Sequence, residues 1–361
     1  MTRRHCFTPT LFSLLLLVGP LSAAVTGLWN FDQPANPLAG AVGDPIEYLD
    51  GPGGDTEAAT VFGLTSDLGI PDINGEPAAV MGFPQTDQWM GYLLHHGIAP
   101  NGGGWYVNQW TIIMDVLFPA ASTGVWRALI QTDTFNFQDD DAEFYLNESN
   151  GLGISNAYHG NVPADTWVRL AIAVDLTRDS DQITKYINGV KVGTNTGEFD
   201  SRFGLNGTDL EPDDAVLLFT DGYFDGPYSA PGYVASIQAR DLCMTDLEIA
   251  ALGGPQADGI PTNPPAQTVV TSFTPQDGQL NYWPDARTTI TIEDLGALVD
   301  VGSVELFLDD NPVTVDVVKS GTTTTVTFQS DTLLPPGSQH SLRLSYADNQ
   351  STLTELTHVF T

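Results

Sequence analysis

The sequence is poor in positive charge. Twelve Lys and Arg stand against 45 Asp and Glu, a formal net charge of −33 at pH 7. A surface so dominated by one sign repels nucleic acid and anionic membrane, so neither is an expected partner. It suits cations, a saline medium or plain solubility. Cysteine is nearly absent, with only Cys6 and Cys243 in the chain. Cys6 falls in a segment expected to be removed, so no internal disulfide forms and the fold must hold on packing. No apolar run is long enough to span a bilayer. There is no twelve-residue EF-hand loop. The nearest approach to a Glu-x-Asp-x-Glu strand of paired glycosidase carboxylates is Asp139, Asp141 and Glu143, in the wrong order and of the wrong types. No nucleophile elbow accompanies His95, His96, His159, His340 or His358, and His5 lies in the N-terminal segment.

What the chain does have is glycine, 36 residues, and proline, 24 residues, spaced between short apolar runs. That pattern predicts an all-β protein, and 361 residues suffice for two domains. Met1–Ala24 reads as a signal peptide: Arg3 and Arg4 lead an apolar stretch, and Ser22 and Ala24 are the small residues of a cut site. The expected location is therefore secreted or cell-surface, without membrane insertion.

The stretch Asp165 to Gly193 organises the rest. Val168, Leu170, Ile172, Val174 and Leu176 alternate with Trp167, Arg169, Ala171, Ala173 and Asp175, as a strand demands. Ile183 to Ile187 forms a second strand, closed by Asn188-Gly189, whose type I′ turn needs positive φ at both positions. Further strands are expected at 46–49, 60–62, 79–83, 88–94, 108–118, 124–131, 215–220 and 232–241. Thr245 to Leu252 reads as a short helix opened by a Thr245/Glu248 capping box and stopped by Gly253.

These residues resemble the laminin-G-like, concanavalin A-like lectin and glucanase family. The Trp167-x-Arg169 strand with Lys185-Tyr186-Ile187-Asn188-Gly189 resembles its central hairpin, and Trp29-Asn30-Phe31-Asp32 its first strand. Ile237, Arg240, Asp241, Thr245, Glu248, Ile249 and Leu252 match its closing strand and helix, with Met244 at the usual Leu. The resemblance covers about 25–253 and implies a two-sheet antiparallel jelly-roll sandwich. It also implies a structural Ca²⁺ near the first and last strands, for which Asp32 is the first ligand candidate and Asp221 and Asp225 are others. Ala235-Ser236 stands where many relatives carry an acid, which puts that ligand in doubt. Residues 254–267 read as a Pro/Gly linker. Residues 268–361 carry seven expected strands, near 270, 288–292, 304–308, 313–318, 323–328, 341–346 and 355–360. In pattern they resemble an Ig-like β-sandwich of exported bacterial proteins.

The expected function is non-catalytic binding of a polysaccharide, or of another extracellular glycan or protein ligand, for adhesion or substrate targeting. Trp105, Tyr106, Trp126, Tyr145, Asn147, Tyr158 and Tyr223 are the candidate ligand residues. Aromatic faces stack on sugar C–H surfaces, and amides fix hydroxyls. Each aromatic has an alternative use as core or loop anchor. A glycoside hydrolase or lyase on the same fold, or a structural spacer, are the alternative functions. The sequence names no ligand and no oligomeric state.

Overall fold

Alternation along each strand makes two faces, and the apolar faces of two sheets close on each other. The computed structural model describes residues 23–50, 54–86, 90–132, 143–199, 203–206, 215–220, 228–263 and 266–361. The expected signal segment up to Ser22, the Asp139 and Asp141 pair, and Tyr223, Asp221 and Asp225 lie outside the described residues, as does the side chain of Glu143.

The protein is all-β, built from antiparallel sandwiches. In the larger one, the first sheet runs in the order Val190–Gly197, Asp181–Ile187, Val168–Asp175, Gln109–Leu117, Gly232–Arg240, Ala79–Phe83 and Val61–Leu64. Val25–Trp29 adds to Gly232–Arg240. The second sheet runs Ala157–His159, Leu152–Ile154, Glu143–Leu146, Arg127–Gln131, Ala215–Leu218, Gly91–His95 and Glu47–Leu49. Between them lie Trp110, Ile112, Met114, Val116 and Phe118, the stripe expected from the sequence, together with Leu170, Ile172, Phe144 and Leu146. Among the described residues no helix is long and apolar enough to cross a membrane.

The organising hairpin forms in register, with Leu170 opposite Ile187 and Val174 opposite Ile183. Asn188 and Gly189 have φ of 52° and 79°. The expected capping box of Thr245 and Glu248 is present, on the helix Asp246–Leu252. That helix packs on the hairpin turn: a Cβ at Gly189 would lie 3.2 Å from Ala250 O and 3.3 Å from Gly253 Cα. Gly189→Val therefore meets both a forbidden φ and a close backbone neighbour. It should lower stability by about 1–3 kcal/mol, read from urea unfolding. An unchanged midpoint would show that the turn can move away.

The outer face of the first sheet differs from the simplest expectation. Its charged residues suggest solvent, yet Asp115, Arg169, Gln238 and Arg240 are all at most 1% exposed. The chain returns over them through residues 254–262, the stretch expected to be an exposed linker. Ile260 is buried, Gly259 O accepts from Arg169, and Pro261 and Thr262 carbonyls accept from Arg240. A spacer of prolines and glycines has free carbonyls to offer, and buried guanidinium groups need acceptors. Ala23 O also accepts from Arg240, at 2.8 Å, so a cut after Ala24 would remove that acceptor. Trp167 is on this same face. It is buried under the 65–78 segment and donates to Pro71 O at 2.7 Å.

The C-terminal region forms two four-stranded sheets. One holds Gln267–Thr274, Thr288–Leu295, Thr323–Phe328 and Asp316–Ser320; the other holds Asn311–Val313, Glu305–Leu308, His340–Ala347 and Leu353–Phe360. The single strand expected at 313–318 is in fact two. Asn311–Val313 pairs with Glu305–Leu308, and Asp316–Ser320 pairs with Thr323–Phe328 in the other sheet. The chain changes sheet between them, a step that a continuous run of Val and Thr conceals. A separate core of Phe273, Ile290, Ile292, Leu306, Val326, Leu344 and Tyr346 fills this sandwich.

Candidate functional site

On Glu143–Leu146, Phe144 and Leu146 point into the core, so Tyr145 points out. Its cross-strand neighbours on that outer face are Ala128 and Gly153, and Gly153 pairs with Tyr158. Trp126 precedes the strand Arg127–Gln131 by one residue, and Tyr228 is brought over by an Ala128 N–H bond to its carbonyl at 2.7 Å. Four aromatic rings thus meet above two small residues. Trp126 lies 5.8 Å from Tyr145, 5.2 Å from Tyr158 and 6.4 Å from Tyr228, at interplanar angles of 83°, 75° and 89°. Tyr145 and Tyr228 are 6.4 Å apart. Edge-to-face contacts of this kind hold each ring in place. Tyr145 is 8% exposed and forms the floor, while Trp126, Tyr158 and Tyr228 are half-buried and present part of each ring to solvent. Rings fixed by their neighbours and partly open to solvent can receive the C–H faces of a sugar.

Three of the candidate ligand residues, Trp126, Tyr145 and Tyr158, are therefore brought together. Tyr228 completes the group, placed there by the bond of its carbonyl to Ala128 N. Asn147 has another task. Its Oδ1 accepts from Ser149 N at 3.0 Å and Gly151 N at 2.9 Å, closing the turn behind Tyr145. Asn-Glu-Ser-Asn-Gly is turn chemistry, and the side chain follows it. Trp105 and Tyr106 lie elsewhere. They sit on a loop entering the start of Gln109–Leu117, whereas Trp126 follows the other end of that strand, about 25 Å away along it. Asn101 and Asn108 shape this loop through bonds to Gln109, Asp241, Gly103 and Tyr106 backbone groups. It leaves Trp105 66% exposed.

Asp32 is exposed, and among the described residues no three His, Cys, Asp or Glu side chains converge as a metal cage.

Two buried cations brace this end of the sandwich. Arg127 is wholly buried behind Trp126, its guanidinium 5.1 Å from the Phe118 ring centroid. Nη2 donates to Asn150 Oδ1 at 2.7 Å and Asn147 O at 3.2 Å, while Nε and Nη1 have no partner among the described residues. Burial lowers its pKa to about 10. Lys185 faces inward between Ile183 and Ile187. Its Nζ is bonded to Ala157 O, to Asn195 Oδ1 and to His159 Nδ1 at 2.9 Å, and it so ties the edge strand that carries Tyr158 to the first sheet. Desolvation lowers the lysine from 10.5 to about 8, and burial followed by the lysine's charge lowers His159.

The lysine gives a pH signature. Between pH 8 and 9 the folded chain has released the Lys185 proton while the unfolded chain still holds it. The unfolded state then binds more protons, so stability rises with pH in this window. Above pH 9 burial of Cys243, whose thiol moves from 9.0 to about 11, acts in the opposite sense. Urea midpoints should therefore rise from pH 8 to 9, and Lys185→Met should remove the rise. A falling wild-type profile would contradict the buried lysine.

No family model matches this chain, and no curated protein matches it in sequence. Solved structures with a partial likeness include the CBM40 of a Ruminococcus gnavus IT-sialidase bound to α2,3-sialyllactose. It is 17% identical, covers 41% of this chain and 83% of its own, and has a TM-score of 0.31. A SAP-like pentraxin of Limulus polyphemus is 12% identical over 48% of this chain and 80% of its own, at 0.33. A botulinum neurotoxin type C structure, described as depending on two ganglioside molecules for cell entry, is 7% identical over 93% and 92%, at 0.40. All three scores are below 0.5, and the functional reading rests on this chain's own residues.

Proposed function

We propose that the chain is an exported, non-catalytic glycan-binding protein that serves adhesion or substrate targeting. In this reading a laminin-G-like sandwich over 25–253 holds the ligand and an Ig-like sandwich follows. The observation that supports it is the group of Trp126, Tyr145, Tyr158 and Tyr228 on one outer sheet face, in edge-to-face contact at centroid distances of 5.2 to 6.4 Å. A ring held by its neighbours loses little entropy when a ligand arrives. The net charge of −33 favours a ligand that is neutral or cationic over an anionic one.

A glycan array probed with the purified chain, with and without EDTA, tests the reading. Binding to a neutral oligosaccharide is expected. Loss of that binding in EDTA would bring calcium into the site, and retention would leave the aromatic patch sufficient. Release of reducing ends from the bound glycan would make the protein an enzyme and overturn the non-catalytic part.

A further inference from the structure

We propose that the C-terminal sandwich carries a second ligand site, a pocket at one end that takes a single neutral hexopyranose. It goes beyond the aromatic patch of the larger sandwich and uses none of its residues. The pocket, of about 300 Å³, is walled by Tyr282, Trp283, Pro335, Ser338, His340 and Phe360. That volume is at the low end of ligand clefts, enough for one sugar ring and too small for an oligosaccharide. Two loops form it, joined by the Leu334 N–H bond to Pro284 O at 2.7 Å.

Trp283 is the platform. Its ring is 60% exposed although it lies at the mouth of a pocket. Arg287 covers it with a guanidinium 5.1 Å from the ring centroid. Arg287 is held in turn by Asp285 at 2.6 Å, and Asp285 Oδ2 also accepts from Gln329 at 2.9 Å. A cation on one face of an indole fixes the ring and leaves the other face for a C–H surface. Tyr282 is fixed beside it by a bond to Arg287 O and by edge contact with Phe360 at 5.6 Å.

Part of the lining is polar. His340 Nδ1 lies 2.6 Å from Asp309 Oδ2, and its Nε2 lies 2.6 Å from Ser338 Oγ. Asp309 Oδ1 accepts from Ser341 N at 2.9 Å, which anchors the row to the sheet. The order Ser–His–Asp is that of a nucleophile relay. Here, however, Ser338 Oγ donates to Pro335 O at 2.5 Å, so its proton is already committed to a carbonyl. The row is no proton shuttle; Ser338 Oγ, which lines the pocket, keeps one lone pair that can accept from a ligand hydroxyl. A fixed indole and a hydroxyl acceptor lining one pocket of one-ring size match a pyranose, which is apolar on its face and polar at its rim. The chain's net charge of −33 disfavours an anionic sugar here as well.

Saturation-transfer NMR on the full chain, with the methyl glycosides of glucose, galactose and mannose as probes, tests the site. Transfer to the ring protons of at least one probe is expected. It should fall at least tenfold in Trp283→Ala, about three- to tenfold in Ser338→Ala, and stay in place in Trp126→Ala. Trp283 is exposed, so its replacement leaves the core intact. The proposal is overturned if no probe receives saturation, or if Trp283→Ala leaves the transfer unchanged. It is overturned too if Trp126→Ala alone removes the transfer, since the sugar would then belong to the larger sandwich.

Discussion

Arg169→Met should lower the stability of the larger sandwich by about 3–5 kcal/mol. Arg169 and Asp115 are direct cross-strand partners, and both side chains are at most 1% exposed. The guanidinium forms a fork on the carboxylate, Nε to Oδ1 at 2.7 Å and Nη2 to Oδ2 at 2.8 Å. Nη1 donates to Leu252 O at 2.6 Å, which fastens the end of the helix Asp246–Leu252 to the sheet. Methionine fills much of the same space but leaves Asp115 in the interior without its cation, held by the Gln256 backbone N–H. Against a net stability of about 5–15 kcal/mol, that is a large fraction.

The pH response separates this account from simple loss of packing. Desolvation already pushes Asp115 up, and the arginine opposes that shift. Without Arg169 the carboxyl rises further. A raised carboxyl favours the folded state at low pH and loses that advantage as pH climbs. The deficit of Arg169→Met should therefore shrink on acidification. The double variant Arg169→Met/Asp115→Leu should recover most of the loss at neutral pH, because a buried pair replaced whole by apolar groups is often neutral. Calorimetry at pH 5 and pH 7.5 reads all three chains. Equal melting of wild type and Arg169→Met would show that water reaches the pair.

The comparison of sequence with structure turns on which faces are covered. The stripe from Trp110 to Phe118, the Asn188-Gly189 turn and the Thr245/Glu248 box are local features, and local chemistry suffices to read them. The covering of Asp115, Arg169 and Arg240 is not local. It depends on residues 254–262 returning across a sheet formed much earlier in the chain, and on carbonyls that carry no side-chain signature. Lys185 is similar: alternation places it among Ile183 and Ile187, but its acceptors come from the edge strand Ala157–His159 and from Asn195. Aromatic content pointed to Trp126, Tyr145 and Tyr158. It could not separate them from Trp105 and Tyr106, because which end of a strand a loop occupies is fixed by sheet order.

The second large effect belongs to Trp126. It touches Tyr145, Tyr158 and Tyr228 and stands at the centre of the patch. Covering about 100 Å² of ring with a sugar face is worth about 2.5 kcal/mol at about 25 cal/mol per Å². Trp126→Ala should thus weaken glycan binding by on the order of fifty-fold or more. Tyr158→Ala removes one wall and should cost about tenfold. Because Trp126 is only half-buried, the variant should keep a wild-type far-ultraviolet spectrum and a cooperative unfolding transition. Trp105→Ala removes a more exposed indole at the far end of the strand and should leave affinity unchanged.

Titration calorimetry of the best-bound array oligosaccharide against wild type, Trp126→Ala and Trp105→Ala tests the central claim most directly. The aromatic patch requires that Trp126→Ala abolish measurable heat while Trp105→Ala binds as wild type. Folded Trp126→Ala with wild-type affinity, or loss confined to Trp105→Ala, would place the glycan away from this face.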